Sequence, residues 1–206
     1  MKFKGIELLA IILIMLLAAS FLLMPKPEYN HDVTIVAFGD SVTAGLGVNP
    51  PDKNFVVLLS EYTRIPIINS GQTGDNTSEA LMRLQTGVLD KNPDIVIILL
   101  GGNDFLERRS VEVFDANLRT IVKKIKEVGS KIIIIGGSEK INAQYEMSIA
   151  RIVMEEKLSG YVPNVLDYVM FRKDLLFDKI HPNAKGHELI AKMILPVLEK
   201  TLREVK

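Results

Sequence analysis

Three residues of this chain could together activate a hydroxyl group: Ser41, Asp178 and His181. Serine is a weak nucleophile until a base takes its proton and a third group orients that base. In Asp178-Lys179-Ile180-His181 a carboxylate stands three residues before an imidazole. Within a turn, that spacing lets the carboxylate accept from Nδ1, fixing the tautomer and leaving Nε2 free as a base. Pro182 disfavours the helical region for His181 and suits the first position of a helix. His181 is therefore expected just ahead of the last helix, on a stiffened backbone. Ser41 stands in Gly39-Asp40-Ser41. The plainer alternatives are a helix-capping serine and a surface histidine beside a chance aspartate.

Acyl transfer also needs fixed donors aimed at the oxygen that becomes negative. The Ser41 N–H, the Gly74 N–H and the Asn103 side-chain amide are the candidates. Ser70-Gly71-Gln72-Thr73-Gly74 holds two glycines, so Gly71 competes with Gly74, which is preferred. Turn geometry alone could explain both glycines, and loop closure could explain Asn103. Asp40 and Asp104 read as braces, in loops that Gly39 and Gly102 allow to turn. His187 is expected on the surface of the last helix, and His31 in a linker.

These residues need elements to carry them. Residues 33–38, 94–100 and 131–135 are apolar, β-branched runs, each followed by a glycine loop: Gly39-Asp40-Ser41, Gly101-Gly102-Asn103-Asp104 and Gly136-Gly137-Ser138. They read as buried strands. Residues 65–69 and 165–166 read as shorter strands. Helices are expected over 55–64, over about 77–89 behind an Asn76 or Thr77 cap, over 110–128, over about 142–158, and from 184 onward. Val111, Phe114, Leu118, Ile121, Ile125 and Val128 form one apolar face of the third of these. Pro196 should bend or shorten the last. Ile141, Tyr145, Ile149 and Ile152 are expected in the core, although with Met147 they could line a pocket. Strand and helix in alternation indicate a doubly wound parallel α/β sheet with right-handed crossovers. Its loops would converge on one edge, where such sheets bind ligands.

The chain has 206 residues, 25 basic and 25 acidic, so its formal net charge is zero and no basic surface invites nucleic acid. Cysteine is absent, which removes disulfides, thiolate catalysis and Cys-ligated zinc. Residues 6–24 are almost wholly apolar behind Lys2 and Lys4. Such a run, at roughly 18 or more residues, can span a bilayer, whereas a signal-peptide core has about 7–15. An uncleaved signal anchor over 1–24 is favoured over a peptide cleaved near Ala18-Ala19-Ser20. The N-terminal lysines keep that end cytoplasmic and place the rest outside. Residues 25–31 form a proline-containing linker and 32–206 the globular domain.

Taken together, Gly39-Asp40-Ser41, the segment 69–75, Gly101-Gly102-Asn103-Asp104 and Asp178-x-x-His181-Pro182 resemble the motif blocks of the GDSL/SGNH hydrolases, in that family's order. The resemblance is greatest to the small esterase, thioesterase and lysophospholipase branch. It implies a three-layer α/β/α flavodoxin-like fold with a parallel five-stranded sheet, here behind the one transmembrane helix expected from the apolar N-terminal run. It further implies metal-free and cofactor-free cleavage of esters or thioesters. Ser41 would be the nucleophile, His181 the base and then the acid, and Asp178 its partner. Ser41, Gly74 and Asn103 would form the oxyanion hole. The expected substrate is a small-molecule or lipid ester. The alternatives are removal of O-acetyl groups from an envelope polysaccharide, and a non-catalytic binding module.

Overall fold

The computed structural model describes residues 32–205, together with Ile12 and Met15 of the N-terminal segment. A five-stranded parallel sheet lies at its centre, in the order β2-β1-β3-β4-β5. The strands are β1 (Ile35–Gly39), β2 (Ile67–Gly71), β3 (Ile95–Leu99), β4 (Lys131–Ile135) and β5 (Gly160–Val162). β1 and β3 are buried along their whole length, which is why their sequences are unbroken apolar runs and do not alternate. The α-helices between and after the strands are α1 (Ser41–Ala44), α2 (Phe55–Thr63), α3 (Thr77–Met82), α4 (Leu84–Gly87), α5 (Gly102–Leu106), α6 (Val111–Glu127), α7 (Glu139–Glu155), α8 (Asp167–Met170) and α9 (Ala184–Leu202).

Successive strand side chains point to opposite faces, so the sheet supplies two separate cores. Ile35, Ala37, Ile97 and Ile133 meet Phe55 and Leu59 of α2 and Ile190 and Ile194 of α9. Val36, Phe38, Ile98 and Ile134 meet Phe114 and Ile121 of α6 and Ile149 and Ile152 of α7. Each such fully buried Val, Ile, Leu or Phe side chain contributes about 1.5–3 kcal/mol. Three layers result, as expected.

Several boundaries differ from the sequence expectation. β2 runs two residues later than 65–69. Pro66 has no N–H to pair, while the polar residues Asn69 to Gly71 still align with Ala37 to Gly39. The edge position tolerates their polarity. The helix expected over 77–89 begins on a full capping box between Asn76 and Glu79, but it breaks at Arg83 into α3 and α4. The last strand is 160–162, not 165–166. The Val165 and Leu166 amides instead donate to the carbonyls of Gly136 and Gly137, at 3.2 and 2.8 Å. α7 starts at Glu139 behind a Ser138 cap and carries a non-helical Asn142. On α6, Phe114, Leu118, Ile121 and Ile125 are buried, but Val128 lies past the last turn and is 51% exposed. α9 continues through Pro196 to Leu202. Pro196 and Lys192 are both on the exposed face, where water can serve the carbonyl that proline leaves unpaired. The expected anchor over 1–24, apart from Ile12 and Met15, and the linker over 25–31 with His31 lie outside the described residues. Among the described residues, no helix is long and apolar enough to cross a membrane.

Candidate active site

The carboxyl ends of β1, β3 and β4 deliver their loops to one edge of the sheet. Asp40 follows β1 and caps α1, its Oδ1 accepting from the Val42 N–H at 2.9 Å. Ser41 is thus the first residue of that helix, and its own amide has no intrahelical acceptor. Ser41 Oγ lies 3.0 Å from His181 Nε2, and His181 Nδ1 lies 2.7 Å from Asp178 Oδ2. The other oxygen of Asp178 accepts the Ile180 and His181 amides, each at 2.8 Å. One carboxylate therefore folds the turn and orients the ring. The bond to His181, followed by those two amides, holds the Asp178 carboxyl at about 2. Asp178 is ionised at neutral pH.

The other predicted residues gather around this relay in different ways. Asn103, on α5, lines the same cavity as Ser41 and His181. Its Nδ2 donates to the Asp75 carbonyl at 2.8 Å, which leaves the second amide hydrogen available. Gly74, the residue before Asp75, has a positive φ of 93° that favours glycine. Gly74 is absent from the residues lining the cavity, and its N–H meets no acceptor among the described residues. Gly71 differs: its N–H already donates to Asn69 Oδ1 at 2.9 Å. A Cβ there would fall on the backbone of Ala44, so Gly71 is needed for the close approach of α1 to β2. Asp104 is fully buried and accepts from both the Thr77 N–H and the Thr77 hydroxyl, tying α5 to the start of α3. The Gly39 carbonyl accepts from Gln72, which ties β1 to the loop after β2, and Gly102 opens α5 beside Asp40.

A cavity of about 230 Å³ opens beside Ser41. Leu100, Phe114, Tyr145, Ile149, Leu166 and Met170 form much of its wall. Tyr145 and Ile149 are thus buried as expected for core residues and also face the cavity. Ile141 is at its half-exposed mouth, whereas Met147 points to solvent. Two carboxyls flank this apolar space. Burial pushes Asp40 up to about 6, opposed by the Val42 amide and by His181. Burial also raises Glu146, which accepts from the Gly137 amide and from Tyr161 Oη.

Residues 37–189 match the GDSL-like Lipase/Acylhydrolase family. The chain belongs to that family. It is 26% identical to Esterase TesA of Pseudomonas aeruginosa over 180 residues, covering 82% of this chain and 89% of that protein. It is also 26% identical to the Arylesterase of Vibrio mimicus over 179 residues, with coverage of 82% and 89%. The solved structure of a psychrotrophic esterase, EstA from Pseudoalteromonas sp., inhibited by monoethylphosphonate, matches with a TM-score of 0.74 and 25% identity. That match covers 84% of this chain and 100% of EstA. The chain is an enzyme of the GDSL esterase type, which sets aside the binding-module alternative.

Sequence reasoning overlooked two residues of this GDSL hydrolase. Arg83 pairs with the buried Asp75 carboxylate. It also donates Nη1 to the Ser70 carbonyl and Nη2 to the Gly39 carbonyl, both at 3.0 Å, with its guanidinium 4.5 Å from the Phe38 ring centre. It thereby fastens the ends of β1 and β2 to the loop that holds Asn103. The break in the helix at Arg83 was the only trace of this in the fold, and no spacing rule foretells it. The second is His187, expected on the surface but fully buried. Its Nδ1 accepts the Phe55 N–H at 3.3 Å, capping α2, and its ring stacks on Phe55. Burial pushes its pKa down to about 4.

Proposed function

We propose that this GDSL hydrolase cleaves carboxylic esters of apolar acyl groups, with Ser41 as nucleophile and an acyl-enzyme intermediate. The observation that carries the proposal is the hydrogen-bonded series Ser41–His181–Asp178 at the mouth of an apolar cavity. His181 Nε2 takes the Ser41 proton as Oγ bonds to the acyl carbon, and the carbonyl electron pair moves onto its oxygen. The Ser41 N–H, the Gly74 N–H and the second hydrogen of Asn103 Nδ2 stabilise that oxyanion. Return of the pair expels the alcohol, which leaves with the proton from His181. Water then repeats the sequence on the acyl-enzyme and releases the acid. Asp178, ionised throughout, stabilises the imidazolium formed in each half.

The cavity is smaller than the clefts of about 300–1,000 Å³ that enclose drug-sized ligands. It suits an acyl or aryl group of moderate length. The N-terminal segment 1–24, with its apolar run over 6–24, anchors the enzyme in a membrane, with the catalytic domain on the outer side. A fluorophosphonate should label the wild type and fail to label Ser41→Ala. A series of nitrophenyl esters of rising acyl length should peak beyond acetyl. A strong acetyl preference would overturn the apolar-acyl reading in favour of O-acetyl removal.

A further inference from the structure

The mouth of the cavity carries a collar of large apolar side chains that no other described residue covers. Leu106 of α5, Ile141 of α7 and Ile180 line the cavity and are 55%, 39% and 37% exposed. Phe171 and Phe177, between β5 and His181, stand out further at 58% and 64%. Phe171 joins this mouth through Lys140 of α7, next to Ile141, and Phe177 through its amide, which donates to the His181 carbonyl at 2.8 Å. Isolated exposed apolar residues need no explanation, but a cluster rimmed by charge marks a surface that meets another phase or partner.

Exposed lysines without an ion-pair partner among the described residues stand on this rim. Among its carboxylates, Glu107 pairs with Arg109 and Asp174 with Arg172, Asp178 accepts from His181 Nδ1, and Glu139 and Asp167 accept from Asn164 Nδ2 and Ser138 Oγ without an ion pair among the described residues. Lys140 holds its ammonium 5.1 Å from the centre of the Phe171 ring. Lys173 and Lys179 are exposed and form no ion pair among the described residues. Aromatic and aliphatic tips between outward lysines are the composition that sits at an anionic bilayer surface, the tips among the acyl chains and the ammonium groups among the phosphates.

We propose that the active-site edge docks on an anionic lipid bilayer, so that an acyl chain passes from the membrane into the cavity without crossing water. This rests on the reading of the cavity as the acyl site. The opposite edge is where the chain enters β1, with the Thr34 amide bound to Asp94 Oδ2 and Val128 half exposed nearby. A domain held only by its N-terminal segment would present that opposite edge to the membrane, and the two arrangements are distinguishable.

The chain contains no tryptophan, so a single substitution supplies a unique fluorophore. Full-length Phe171→Trp and Val128→Trp proteins would be mixed with vesicles of phosphatidylglycerol brominated on its acyl chains. Insertion by about 5–10 Å should quench Phe171→Trp at least roughly twofold and leave Val128→Trp unchanged. Quenching of Val128→Trp alone, of both equally, or of neither would overturn the proposal. Equal quenching by brominated phosphatidylcholine would overturn the anionic assignment. A concentration-dependent blue shift of Phe171→Trp without vesicles would assign the collar to a second copy of the chain instead. Fluorophosphonate labelling of both variants reads the catalytic site separately. Labelling without quenching refutes the docking alone, and quenching without labelling refutes the esterase reading.

Discussion

The side-chain amide of Asn103 is held by the backbone carbonyl of Asp75, 2.8 Å away, so the loop after β2 and the helix after β3 act as one unit. In the proposed mechanism that bond aims the remaining amide hydrogen, which then needs no reorganisation as the oxyanion forms. Asn103→Ala should lower kcat on the order of 10²–10³-fold with little change in KM, because the donor acts on charge that develops only in the transition state. Steady-state kinetics on a soluble nitrophenyl ester check this. A rise in KM at constant kcat would make Asn103 a substrate-binding residue instead.

Arg83 supports that unit through Asp75. Arg83→Met strands a buried carboxylate and should cost on the order of 3 kcal/mol of stability. Removing both charges in Arg83→Met/Asp75→Asn should cost clearly less than the sum of the two single changes. Denaturant unfolding of the four proteins measures the coupling. Simple additivity would show that the pair contributes nothing as a pair.

His181→Ala should reduce kcat on the order of 10³-fold or more, since His181 Nε2 is the side-chain partner of Ser41 Oγ among the described residues. Asp178→Asn is the more discriminating change. An asparagine oxygen can still accept the Ile180 and His181 amides, but its NH₂ would face Nδ1 and favour the wrong tautomer. We expect a loss on the order of 10³–10⁴-fold in kcat with the melting temperature nearly unchanged. A large fall in melting temperature would reduce Asp178 to a loop brace.

His187 gives a pH signature. Its folded pKa of about 4 lies below the unfolded value of 6.5, so between those values the unfolded chain binds more protons. Its contribution to stability is therefore complete above pH 6.5 and is lost as pH falls toward 4, by on the order of 3 kcal/mol in all. His187→Gln keeps an acceptor for the Phe55 amide without a titrating group. Relative to the wild type, it should be less stable at pH 7 and gain on it steadily as pH drops through this window. Parallel stability curves for the two proteins would remove His187 as the cause.

Much of this enzyme was legible in its residues because the relevant contacts are local or repetitive. β1, β3 and β4 were readable as strands burying both faces. Ser110 and the stripe from Phe114 to Ile125 defined α6 almost to the residue. Where tertiary contacts overrode local pattern, the expectation missed. Val165 and Leu166 have strand composition, but their amides serve the carbonyls after β4. Arg83 lies inside a good helical sequence, but three hydrogen-bond partners outside that helix draw its guanidinium away.

What the sequence determined by itself is that Asp178 stands within reach of His181, three residues away in a proline-stiffened turn. It also determined that Ser41 follows a buried strand. Only the tertiary structure decided that Ser41 and His181, 140 residues apart, lie within 3.0 Å of each other. That distance depends on strand order and on where α9 packs, which no local spacing encodes. The same packing turned His187 inward, since burial depends on which face of a helix lands on the sheet and not on the residue's own polarity.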